Sequence, residues 1–127
     1  MNEEKTILII TDGTEKIAKT AKKIAANLKG NRILIKNACD FAGTDLLPAH
    51  ILFIGCDEPS PPSFAYLDEM LQHINLAGRS CGIFSSSKKA ANYLSNLLKD
   101  SEISLKTEPL PIDDSADIPK WIARVIE

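Results

Sequence analysis

ILIITDGTEKIAKTAKKIAANL, residues 7 to 28, decides how the rest of the chain is read. It opens on an apolar, β-branched run, extended by Lys5 and Thr6, with no alternation of polar and apolar residues. That is how a strand buried on both faces is written. Thr11, Asp12, Gly13 and Thr14 break the run with turn chemistry. Ile17, Ala18, Ala21, Ile24, Ala25 and Leu28 then recur at spacings of three and four, with lysines at 16, 19, 22, 23 and 29 mostly between them. This is the period of an amphipathic helix with one wet face. Thr14 is placed to cap that helix, Glu15 sits favourably in its first turn, and Gly30 is placed to stop it. A buried strand that turns directly into a helix leaves backbone N–H groups at the corner, facing whatever anion is there. Thr11 to Glu15 are therefore the candidate anion site. The plain alternative is an ordinary turn in which Thr14 caps its own helix.

Strands and helices alternate through the remainder. RILIK, residues 32–36, is a second strand. The linker after it carries Gly43 and Pro48 and has room for only one helical turn, between Asp40 and Leu47. HILFIGC, 50–56, is a third strand, and Asp57, Glu58 and Pro59 lead into a proline-rich lip that ends at Ser63. A helix from Pro62 or Ser63 places Leu67, Met70, Leu71 and Ile74 inward and stops at Gly78. RSCGIFS, 79–85, is a fourth strand. Ser86 or Ser87 caps a helix with Ala90, Ala91, Leu94, Leu97 and Leu98 on one stripe. EISLKT, 102–107, alternates as an edge strand would, and Pro109 and Pro111 are expected to close it. After Asp113, Asp114 and Ser115, a final helix begins near Pro119 and turns Ile118, Trp121, Ile122 and Val125 inward. Five strands alternating with helices predict an α/β domain with a mostly parallel sheet and right-handed crossovers, residues 1–127 forming one domain.

Composition narrows the function class. The 127 residues suffice for a core that buries roughly two thirds of the unfolded surface. Hydrophobic residues make up 44% and charged residues 25%, an ordinary globular balance. A formal charge of -2 and a pI of about 5.7 argue against nucleic-acid or anionic-membrane partners, which need clustered basic surface. Cys39, Cys56 and Cys81 are odd in number and widely spaced, which suggests reduced thiols and neither a disulfide framework nor a zinc site. The polar start MNEEKT and the lack of any run approaching about 18 apolar residues point to the cytoplasm, with no signal peptide and no membrane span. His50 and His73 fall in separate elements, Trp121 belongs to a core stripe, and the lysines of the first helix form a solvated face.

LIITDGTEKIAKTA, the IGCDEP loop, the IFSSS turn and the closing WIARVI together resemble the flavodoxins and their short flavodoxin-like relatives. The resemblance implies a three-layer sandwich with sheet order 2-1-3-4-5 and a reduced second helix. Ligands of such sheets bind where the winding reverses, between the first and third strands. It also implies that flavin mononucleotide (FMN) is bound non-covalently for electron transfer with a redox partner protein. On that reading Thr11, Asp12, Gly13, Thr14 and Glu15 meet the phosphate, while Cys56, Asp57, Glu58 and Pro59 and Ser85, Ser86 and Ser87 border the ring. No side chain is needed as a catalyst. The first loop is shorter than the flavodoxin pattern, Asp12 brings a negative charge toward a dianion, and the later loops offer only Phe64, Phe84 and Tyr93 as aromatic walls. Those departures keep a second reading open, the same fold as an interaction module with the Pro59 to Pro62 lip as its contact surface. A third is a receiver-type signalling domain with Asp57 as phosphoacceptor, Ser85 ending strand four and Lys106 in strand five. Only Asp12 is then available beside Asp57 to hold Mg²⁺.

Overall fold

The structure, a computed structural model, describes residues 5–40, 42–112 and 117–126. Asp113, Asp114 and Ser115 of the expected acidic turn lie outside the described residues. The strands are β1 (Thr6–Thr11), β2 (Arg32–Asn37), β3 (Ile51–Cys56), β4 (Ser80–Ser85) and β5 (Leu110–Pro111). The helices are α1 (Glu15–Ala26), the single turn α2 (Gly43–Leu46), α3 (Ala65–Leu71), α4 (Lys88–Leu98) and α5 (Ile118–Ile126). All strand pairs are parallel and the order is β2-β1-β3-β4-β5, as the resemblance implies.

The continuous apolar runs are explained by what lies on each side of the sheet. Leu8, Ile10, Leu52 and Ile54 point into one layer and meet Leu67 and Leu71 of α3 and Ala90, Leu94 and Leu98 of α4. Their neighbours Ile7, Ile9, Ile51 and Phe53 point the other way, against Ile17, Ala21 and Ile24 of α1 and Trp121, Ile122 and Val125 of α5. Trp121 lies across Phe53 with ring centroids 5.4 Å apart, a tilted aromatic pair, and its indole N–H donates to the Glu108 carbonyl. Gly82 makes this close approach possible. A Cβ there would stand 2.8 Å from Trp121 and 2.9 Å from Val125.

The sheet departs from expectation at its right edge. EISLKT is not a strand: Ser104 alone forms an isolated bridge to Ser80, and Glu102 takes a left-handed φ of 67° that breaks extension. Leu105 is left exposed. The fifth strand is Leu110–Pro111, paired with Phe84 and Ser85. Pro111, expected to terminate pairing, is tolerated because an edge strand has one side free of hydrogen-bonding obligations. Leu110 is buried where Leu105 is not, so burial and not alternation chose the register.

The third helix also differs. It begins through a 3₁₀ turn at Pro62–Phe64, as the proline suggests, but stops at Leu71 instead of continuing to Gly78. Asn75 accepts the N–H of Ala77, and the N–H of Leu76 is taken by the Ser101 carbonyl at 2.6 Å, so local polar contacts replace the helical ladder. Leu76 still reaches the core.

Candidate functional site

The winding reverses between β1 and β3, with β4 next to β3, and two aspartates tie the loops at the carboxyl ends of these three strands together. Asp12 accepts on one oxygen the Thr14 N–H at 3.0 Å and the Thr14 hydroxyl at 2.6 Å. This is an Asx-type turn, the local chemistry for which Asp is favoured here. On its other oxygen Asp12 accepts the Asp57 N–H at 2.7 Å, which fixes the first loop to the third. Asp57 in turn accepts a hydrogen bond from the Ser86 hydroxyl. A chain of contacts Thr14–Asp12–Asp57–Ser86 thus joins three loops.

Gly13 makes the first turn possible. Its φ is +84°, and the Asn37 side chain at the end of β2 fills the space where a Cβ would project. Asn37 was not among the candidates, although strand order alone puts the end of β2 beside the end of β1. Thr11 is nearly buried, and its hydroxyl oxygen accepts the Gly13 N–H at 3.4 Å. Thr14 occupies the N-cap position of α1 as expected, yet its side chain does not cap, because Asp12 holds the hydroxyl. The Glu15 carboxylate pairs with Lys19 at 3.3 Å on the exposed helix face.

A cleft of about 500 Å³ opens beside this corner. Asp12 and Thr14 form one wall, and the lip from Asp57 to Ser63 forms the other. Candidates from the first loop and the third are therefore brought together. Ser60, with a left-handed φ of 51°, and Pro61, Pro62 and Ser63 add to the wall beyond the expected Pro59. Three carboxylates, Asp12, Asp57 and Glu58, line the cleft, and none of its described lining residues is cationic. Ser85, Ser86 and Ser87 line a different cavity of about 600 Å³, on the β5 side of the β4 turn, with Lys88, Asn92, Glu108 and Pro109. Ser85 donates to the Ser87 carbonyl, and the Ser87 hydroxyl caps α4 by accepting the Ala90 N–H.

Cys56 ends β3 with its side chain fully inside the core and is not among the residues that line the cleft. Burial first, and then the Asp12 and Asp57 charges, push its thiol up to about 12. Burial raises Cys81 further, while Cys39 is exposed. The aromatic walls are also turned away. Phe64 and Phe84 are fully buried, and half-buried Tyr93 packs on Phe64 with centroids 6.3 Å apart. Burial, aided by Asp68 and Cys56, pushes the Tyr93 phenol up to about 12. Lys106 falls in the exposed stretch before β5, not in a strand. Among the described residues no three His, Cys, Asp or Glu side chains are grouped to hold a metal ion, and no helix is long and apolar enough to cross a membrane.

The fold is shared with several flavodoxins of known structure. One from Streptococcus pneumonia is similar at 16% identity with a TM-score of 0.80, covering 95% of this chain and 97% of that one. A short-chain flavodoxin associated with a bacterial microcompartment matches at 13% identity and TM-score 0.82, over 98% and 97% of the two chains. A variant flavodoxin of Fusobacterium nucleatum, bound to flavin mononucleotide, matches at 11% identity and TM-score 0.70, over 97% and 96%. No protein-family profile matches the chain, and no curated protein matches it by sequence.

Proposed function

We propose that this flavodoxin-like chain is an electron carrier that holds a flavin non-covalently in the cleft between the first loop and the Asp57 to Ser63 lip. The observation that carries the reading is the position of that cleft, at the reversal of winding in a sheet shared along nearly its whole length with flavodoxins. The flavin supplies the redox chemistry when bound. The chain supplies the seat: Pro59, Pro61 and Pro62 as a rigid apolar wall, and the Asp12 bridge that keeps the two loops apart at a fixed distance.

FMN, the form the fold implies, fits this seat only in part. The cleft has room for a ring system. The phosphate, however, would enter a corner where three donors, the Thr14 N–H, the Thr14 hydroxyl and the Asp57 N–H, are engaged by a carboxylate. That conflict, with the inward-turned aromatics, favours one second reading: the fold as an interaction module that contacts a partner through the Pro59 to Pro62 lip. Equilibrium dialysis of the purified protein against flavins, followed by absorbance of the retained fraction, separates the two. Retention of flavin at one per chain, with electrons passed from the reduced form to an added one-electron acceptor, supports the carrier. No retention of any flavin refutes it and leaves the interaction module.

A further inference from the structure

The Asp12 carboxylate accepts hydrogen bonds from donors of both the first loop and the lip. A strand-to-helix corner gathers donors for an anion, and here three of them, drawn from two loops, converge on the two oxygens of one side chain. Thr14 gives its N–H at 3.0 Å and its hydroxyl at 2.6 Å, and Asp57 gives its N–H at 2.7 Å. The Ser86 hydroxyl, a further donor at the same edge, is spent on Asp57. A dianion entering the corner would have to evict Asp12 from these contacts and then sit beside it, with Asp57 and Glu58 on the facing wall. Like charges at such separations repel strongly wherever solvent is partly excluded. Hydroxyl groups face no such barrier. They donate to carboxylates, and the cleft offers three carboxylates.

We propose that Asp12 is a built-in substitute for the flavin phosphate and that the cleft selects a flavin whose ribityl chain ends in a free hydroxyl, the riboflavin class, over FMN. This rests on the flavin-carrier reading above. Asp12 is then a specificity-determining residue. Its charge excludes the phosphate, while its hydrogen bonds hold the first loop and the lip in the conformation that the polyol meets.

The test titrates wild type, Asp12→Asn and Asp12→Gly with riboflavin and with FMN, following quenching of flavin fluorescence, with thermal unfolding of each variant as the check on folding. Wild type is expected to bind riboflavin about tenfold or more tighter than FMN. Asp12→Asn removes the charge with little change of shape and should narrow the ratio. Asp12→Gly also frees the three donors and should invert it. Tighter binding of FMN than of riboflavin by wild type would overturn the inference and leave the carrier reading standing. So would the same ratio in wild type and in a folded variant. Binding of neither flavin by wild type would overturn both.

Discussion

Gly82→Ala tests whether the closing helix is seated on the sheet as described, since that seating carries the edge where the β4 turn begins. A Cβ at this position would stand 2.8 Å from Trp121 Cζ2 and 2.9 Å from both Trp121 Cη2 and Val125 Cγ2. Comfortable carbon contacts lie at about 3.5–4.0 Å, so two rigid ring atoms and a methyl would have to withdraw by roughly 0.6 Å or more. Trp121 has little room to do so. It is pinned by its bond to the Glu108 carbonyl at 3.0 Å and by the ring of Phe53. Overpacking of this kind costs about 1–3 kcal/mol. For a chain of this length that corresponds to a fall in Tm of about 4–15 °C. Thermal unfolding followed by circular dichroism gives the loss, and emission of the single tryptophan reports the displaced ring. A Tm within about a degree of wild type, with unchanged Trp121 emission, would show that α5 is not packed on Gly82.

Further expectations concern the thiols and the caps. In the native protein an aromatic disulfide reagent should titrate Cys39 quickly and leave Cys56 and Cys81 unreacted until denaturant is added; fast reaction of more than one thiol would contradict their burial. Cys56 and Tyr93 are both raised to about 12 in the fold, so the native state keeps protons that the unfolded chain releases. Stability is therefore full below pH 9 and falls as pH rises toward 12, and Cys56→Ala should show a shallower alkaline fall than wild type in urea titrations at several pH values. Ser87→Ala removes the side-chain cap of α4 and should cost about 1 kcal/mol in chemical unfolding. Thr14→Ala should cost less, because the Thr14 side chain does not cap α1; a larger loss than at Ser87 would contradict the described turn.

Much of the fold was legible because burial on both faces fills the middle of β1 and most of β3 with apolar residues, and because Gly and Pro mark where the chain must turn. The third helix and fifth strand were less legible for reasons of the same kind. Asn75 and Ser101 satisfy backbone groups that a helix through Leu76 would otherwise pair, and no periodicity reports that. Pro111 looks like a strand breaker to any pattern, yet its place at the sheet edge removes the objection. At the candidate site, strand ends read from the sequence put Asp12, Thr14 and Asp57 after β1 and β3, and these three line the same cleft. It left open whether Asp12 points toward a ligand or away, since that depends on the Asp57 N–H, 45 residues along the chain, which becomes its partner only when β1 and β3 pair. Asn37 and the second cavity beside Lys88 are likewise products of strand order, readable only once β2 and β5 are placed.

The most direct test of the central claim is the absorption spectrum of the protein mixed with riboflavin at micromolar concentration and passed over a desalting column equilibrated with the same riboflavin solution. Flavin in excess of the column concentration is expected to elute with the protein, at a saturating ratio of one per chain and with its visible bands shifted. A protein peak carrying no excess flavin, with the bands of free riboflavin unchanged, would contradict it.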